Sequence, residues 1–275
     1  MVVSDVIDDR GPILGQSRSK VYLDTAEISR KSFEIYAKEI GCEYMYSDER
    51  VLTKGHGCSV SILFECLRVI YDPYFDQFDK VLFADTDIVA NTKENIFDVS
   101  DAEVYGVLES DIRSETGGCY NGWDVKDDLY QEYAKKFHQH GFPVIPSFGI
   151  GHSFDSKITI LNTGVVVWTK EARLKARELF SSWEEWCYPE SIGLDKSHMC
   201  ISNDQPFISA NLMKHDFDLE SIHQSWNDST EHYKDPQSWI DSGKSKFLHY
   251  TGGEWKVEMI RLYKEGKFPI FNENW

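Results

Sequence analysis

The sequence predicts an α/β fold, a central and mainly parallel sheet flanked by helices. Two observations carry this. Strand-like and helix-like segments alternate over the first 110 residues, the pattern of βαβ units and a parallel sheet. Within them, the short apolar run Val81–Ala84 ends abruptly at Asp85-Thr86-Asp87. A run of that length bounded by polar residues reads as a strand buried on both faces.

Taken in order, β-branched Val2 to Ile7 reads as a first strand, broken by Asp8-Asp9-Arg10-Gly11-Pro12. Ser17 to Lys20 reads as a polar loop. Asp24 or Thr25 is placed to cap a helix running to Ile40, with Ile28, Phe33, Ile35, Tyr36 and Ile40 as its apolar stripe. Gly41 ends it as a left-handed residue would. A short strand at Glu43 to Tyr46 and a loop at Lys54-Gly55-His56-Gly57 follow. Ser59 to Ile70 reads as a helix with Ile62, Leu63, Cys66, Leu67 and Ile70 inward, stopped by Asp72-Pro73.

After the central strand come a helical turn within Asn91 to Phe97 and a strand at Glu103 to Leu108. Residues 111 to 156 are irregular and too long for a bare connector, which marks them as a lid or binding segment. They include one expected helix, Asp127 to Gln139. A second apolar run, Lys157 to Trp168, is interrupted by Asn162-Thr163-Gly164. Helices are expected at Glu171 to Cys187, at Ser202 to Met213 (capped by Asn203 or Asp204, with Phe207, Ile208 and Leu212 inward) and at Val257 to Lys264. A short strand is expected at Lys246 to Leu248 and an aromatic tail, Phe268 to Trp275, packed onto the body. Neither repeats nor a linker break the chain, so residues 1–275 are read as one domain.

Composition narrows the function. The chain has 275 residues, 41% of them hydrophobic and 27% charged, ordinary for a soluble globular protein. A net charge of -17 excludes nucleic acid as an expected partner, because phosphate backbones require a basic surface. It leaves room for a phosphorylated small molecule if a cation neutralises the site. No apolar run reaches the roughly 18 residues of a transmembrane helix. The acidic start lacks the apolar core of a signal peptide. The six cysteines form no C-x-x-C pair, so free thiols and a cytoplasmic location are expected. Asn227-Asp228-Ser229 matches a glycosylation sequon, which carries little weight without a secretory signal.

Ligands of open α/β sheets collect at the carboxyl ends of strands. Two carboxylates there, Asp85 and Asp87, suit a hard divalent cation that shares oxygen ligands with phosphates. Residues two apart point to opposite faces of a straight strand, so the chain must turn at Thr86 for both to reach one ion. The alternative is a solvated turn.

The order of motifs resembles the metal-dependent GT-A glycosyltransferases, most closely the retaining family 8 type that includes galactosyltransferases and glycogenin-like enzymes. Phe78 to Asp87 is similar to that family's strand and D-x-D motif. Arg68 stands 17 positions earlier (85 − 68), where the family has a donor-binding arginine. Asn162-Thr163-Gly164 resembles its N-x-G turn, Asp204-Gln205 its D-Q pair and His249-Tyr250-Thr251-Gly252 its H-x-x-G element. Trp226-Asn227 resembles a W-N pair between the last two. The family's next lysine would fall at position 255, but Trp255 stands there and Lys256 follows.

The resemblance implies a Rossmann-like nucleotide-diphospho-sugar transferase fold. Residues 1–110 would be the nucleotide-binding half, and residues 111–275 the acceptor-binding half, which completes the metal site. It implies transfer of a sugar from a nucleotide-diphosphate donor, UDP-sugars being favoured, to an acceptor hydroxyl with retained configuration. The acceptor would be a glycan, a lipid-linked sugar or a protein. Asp85, Asp87 and His249 would hold Mn2+ or Mg2+, and mixed carboxylate and imidazole ligation suits manganese. Arg68, Asp85, Thr86, Asn162, Gly164, Asp204, Gly252 and Lys256 would bind the donor. Asp204 and Gln205 would act at the reacting sugar. An inverting reaction would need a carboxylate base, for which Glu109, Asp111 and Glu254 are candidates. Tyr120, Trp123 and Trp226 are candidate sugar-stacking rings. Two other readings compete: a HAD-type phosphatase using Asp85 and Asp87, and a sugar-nucleotide or glycan-binding module without turnover.

Overall fold

The computed structural model describes residues 1–4, 18–56, 61–108, 111, 161–186, 204–229, 240 and 243–272. The expected helix at 127–139, most of the irregular 111–156 segment, and Glu109, Tyr120 and Trp123 lie outside the described residues. So do the expected strand residues 5–7 and tail residues 273–275.

The main sheet has six strands: β1 (Val2–Ser4), β2 (Tyr44–Tyr46), β3 (Lys80–Ala84), β5 (Val104–Leu108), β6 (Leu161–Thr169) and β7 (Leu219–Ser221). Their order is β2-β1-β3-β6-β5-β7. Three of the five neighbouring pairs are parallel, and only β6 runs against the rest. The mixed α/β fold with a mainly parallel sheet is therefore as the sequence predicts. A second sheet, in the order β4-β9-β8, is formed by β4 (Ile88–Ala90), β8 (Asp228–Ser229) and β9 (Phe247–His249).

The helices are α1 (Arg18–Ile40), α2 (Arg68–Tyr71), α3 (Lys170–Leu179), α4 (Trp183–Trp186), α5 (Asp204–Lys214) and α6 (Gly253–Lys264). The apolar central run is buried on both faces. Val81 and Phe83 of β3, with Val166 and Trp168 of β6, join Phe64, Leu67, Ile70, Phe75, Phe207 and Leu212 in one cluster. Leu82 and Ala84, with Val165 and Val167, join Phe33 and Tyr36 of α1, Phe247 and Leu262 in the other. Each fully buried Phe or Leu contributes about 1.5–3 kcal/mol.

Several boundaries differ from the sequence reading. Helix α1 starts at Arg18, not at a cap at Asp24 or Thr25. Thr25 lies inside it and donates its hydroxyl to the Val21 carbonyl at 2.7 Å, the back-bond available to a threonine within a helix. Gly41 closes the helix at φ 70°, with Gly41 N–H on Lys38 O and Cys42 N–H on Ala37 O, the paired bonds of a Schellman ending. The segment before α2 winds as a 3₁₀ turn over Ser61–Leu67, and Leu63 faces outward. Asn162-Thr163-Gly164 does not interrupt β6 but lies within it. The long helix expected after residue 170 is two pieces, parted at Phe180, whose backbone is extended.

Candidate metal centre

The Asp-x-Asp motif is where the chain leaves one sheet for the other. The amide of Asp85 donates to Gly164 O at 2.9 Å, which continues the pairing of β3 with β6 by one residue. The carbonyl of Asp87 accepts from the Tyr250 amide at 2.9 Å, which continues the pairing of β4 with β9. Thr86, half-buried, is in the turn between them. That turn removes the strand alternation and lets both carboxylates face the end of β9, where His249 stands.

His249 Nε2 is 3.2 Å from Asp87 Oδ1 and 3.8 Å from Asp85 Oδ2. One ligand atom from each of the three residues lies within 4.8 Å of the others, close to the span of two metal–ligand bonds of about 2.1 Å each. The other Asp87 oxygen, Oδ2, is taken by the ammonium of Lys256 from α6, which also donates to Tyr250 O at 3.2 Å. Lys256 thus sits at the motif, and its ammonium grips Asp87. Apart from its contact with His249, the buried Asp87 Oδ1 has no hydrogen-bond partner among the described residues.

The charges are strongly coupled. Burial, then the charge of Asp87, pushes the Asp85 carboxyl up to about 7, while His249 pulls the other way. Burial also opposes charge on Asp87, but Lys256 and His249 outweigh it and hold that carboxyl below the ordinary range. Burial would lower His249, yet the Asp87 and Asp85 carboxylates raise it. The residues fit a cation. Two buried acceptors face each other with a third beside them, an arrangement that is repulsive unless a proton or a metal ion lies between. Two carboxylates and an imidazole form a donor set for a divalent cation.

Asp204 opens α5 and is close enough for its charge to raise Asp85. Burial raises Asp204 itself, countered by the Thr163 hydroxyl, which donates to Asp204 Oδ2 at 2.6 Å. The thiol of Cys66 approaches the same oxygen at 3.7 Å. Gln205 follows, half-buried, in the first turn. Gly252 caps α6 at φ 76°.

Other expected residues are engaged elsewhere. The Arg68 guanidinium pairs with Asp72 at 3.0 Å and bonds Ser47 at 3.2 Å, beside the Phe75 ring. Trp226 is core, edge-on to Phe247 and capped by Lys246, not a sugar platform. Its neighbour Asn227 is buried at the site, so the sequon it opens is not a surface sequon. Asp111 and Glu254 are exposed. Sequence reasoning missed three contacts: Asn227 on His249, Thr163 on Asp204, and Lys256 on Asp87. The Trp-Asn pair and the lysine displaced by one position were the available signals.

No protein-family model matches this chain, and no curated protein matches it in sequence. Solved structures do resemble it. One is a glycosyltransferase involved in the glycosylation of the major capsid of PBCV-1, with 12% identity, a TM-score of 0.49, and 95% of this chain and 98% of that one covered. A second is the galactosyltransferase LgtC in complex with donor and acceptor sugar analogs, with 12% identity, a TM-score of 0.48, and 100% and 99% covered. A third is mouse xyloside xylosyltransferase 1, with 12% identity, a TM-score of 0.43, and 91% and 96% covered. All three are described as sugar transferases.

Proposed function

We propose that the chain is a metal-dependent glycosyltransferase that moves a sugar from a nucleotide-diphosphate donor to an acceptor hydroxyl with retained configuration. One observation carries the reading. The Asp85 and Asp87 pair and His249, far from it in sequence, converge with one ligand atom each within 4.8 Å, and Asp204 lies within electrostatic reach of Asp85. The ordered motifs from Arg68 to Gly252 supply the rest.

Bound there, Mn2+ or Mg2+ would act as a Lewis acid on the diphosphate and stabilise the charge it gains as it leaves. The chain's own residues do the positioning. Asp85, Asp87 and His249 form the cation site. Asp204, held by Thr163, accepts hydrogen bonds from hydroxyls of the donor sugar, with Gln205 next to it; a carboxylate accepts two such bonds and fixes orientation. In a retaining, same-face displacement the acceptor oxygen bonds the anomeric carbon as the carbon–oxygen bond to the diphosphate breaks. The acceptor proton leaves with the diphosphate oxygen. Arg68 and Lys256 would reach the donor only by giving up Asp72 and Asp87.

The donor is proposed to be a UDP-sugar on resemblance, and the acceptor a glycan, a lipid-linked sugar or a protein. One domain is proposed, with the nucleotide held by residues 1–110 and the acceptor by 111–275. None of the described helices is long and apolar enough to cross a membrane. A reducing, cytoplasmic setting is proposed on the sequence alone, whose six cysteines form no C-x-x-C pair.

A thermal-shift panel of UDP, GDP, CDP and TDP, each with manganese and with chelator, tests this. A ligand at 100 times its Kd stabilises by about 2.7 kcal/mol, several degrees for a chain of this size. A shift with one diphosphate, present only with metal, is expected. No shift with any of them, or magnesium-dependent phosphate release from an aryl phosphate, overturns the reading.

A further inference from the structure

We infer that Asn227 is a positioning residue which, locked by Asn162 and the Gly164 backbone, holds the His249 ring in the tautomer whose Nε2 can bind metal. The inference rests on the metal reading above and extends it to groups that touch no ion.

Hydrogen-bond direction around His249 is forced, starting from a group with only one option. The Gly164 amide can only donate, and it donates to Asn162 at 3.0 Å, so the Asn162 atom there is the carbonyl oxygen. The Asn227 atom 2.8 Å from that same oxygen must then be its Nδ2 donor. That places Asn227 Oδ1, an acceptor, 2.8 Å from His249 Nδ1, so Nδ1 carries a proton. When the ring is neutral, its lone pair is on Nε2, the nitrogen that faces Asp85 and Asp87. Metal-binding imidazoles are commonly fixed this way by what their other nitrogen donates to.

The assembly is buried, with Asn227 1% and His249 5% exposed. Water cannot readily substitute for a lost partner. Three chain stretches meet in it: β6 supplies Asn162 and Gly164, the 3₁₀ turn at Gln224–Asn227 supplies Asn227, and β9 supplies His249.

The test is calorimetric titration of the full chain with MnCl2, using wild type, Asn227→Leu and Asn227→Asp. Wild type comes first: no manganese binding there defeats the metal reading itself. If wild type binds, Asn227→Leu is expected to lose about 10- to 100-fold in affinity, the usual cost of removing such a partner. Asn227→Asp still offers an acceptor to Nδ1–H, though it loses the donor to Asn162, and is expected to lose clearly less affinity than Asn227→Leu. Packing alone predicts the reverse, since Leu suits a buried site and a carboxylate does not. Leu binding like wild type, or Asp no better than Leu, overturns the inference. One measurement needs no variant. In Cd2+-saturated wild type, long-range nitrogen–proton correlation NMR is expected to show His249 protonated on Nδ1; a proton on Nε2 overturns the inference.

Discussion

Gly164 has no side chain where His249 lies. A Cβ built at position 164 would be 2.5 Å from His249 Cε1 and 2.9 Å from Nδ1, distances that real atoms do not keep. A buried ring clamped by β9 and Asn227 cannot swing aside at little cost. Gly164→Ala is therefore expected to displace the imidazole and weaken Mn2+ binding at least about 10-fold, by analogy with loss of an outer-shell partner. Its destabilisation should fall in the roughly 1–3 kcal/mol range of overpacking. Calorimetric titration alongside thermal melting separates the two effects. Wild-type affinity in the alanine variant would show that the ring does not need that space.

Lys256 and Asp87 form a buried pair, with 7% and 14% of their side chains exposed. Removing one partner of such a pair leaves an uncompensated charge, at about 3–5 kcal/mol. Lys256→Met in chelator is expected to melt well below wild type. Manganese brings a cation back to Asp87, so its stabilising shift should be larger in the variant. Equal shifts in both proteins would mean that the ammonium and the ion do not share Asp87.

How much of this was legible follows from what kind of interaction set each feature. The central strand was readable because both its faces are buried, which demands an unbroken apolar run at Val81–Ala84. The turn at Thr86 followed from two carboxylates needing one side. The start of α1 was not readable, because Thr25 bonds backward within the helix as easily as it caps. Asn162, Asp204 and His249 could be named as types in an order, but their partners depend on which strands meet. Nothing in the local sequence says that Asn227 reaches His249 across 22 positions, or that a lysine one position late would reach Asp87. Arg68 is the opposite case, because its partner Asp72 is the local i,i+4 residue.

The site should make metal binding depend on pH in a defined direction. Asp85 is raised to about 7 and His249 is raised as well. A raised group stabilises the metal-free fold fully below its unfolded pKa and loses that contribution as pH rises through its folded value. Asp87 is shifted down, so its contribution is present above the ordinary aspartate range and is lost only in stronger acid. A metal ion must displace the protons on Asp85 and His249. The melting-temperature difference between manganese and chelator is thus expected to grow from about pH 5 to pH 8. A difference that is flat, or largest in acid, would contradict the assignment of these two residues as ligands.

Thr163 holds Asp204, the residue proposed to bind the donor sugar. Its hydroxyl donates to Asp204 Oδ2 at 2.6 Å, and that bond favours the charged carboxylate against burial. Thr163→Val keeps the β-branched shape that β6 packs but removes the donor. A hydrogen bond to a charged group contributes about 1.5–3 kcal/mol, so Asp204 should be less often ionised and less fixed. If Asp204 orients the donor sugar, transfer should fall by about 10- to 100-fold in kcat/KM. The Mn2+ affinity should stay within about two-fold, because Asp85, Asp87 and His249 keep their contacts. Steady-state transfer assays with matched calorimetry decide it. A variant that loses metal and transfer together would place Thr163 in the support of the cation site, whereas one that loses neither would remove Asp204 from the reaction.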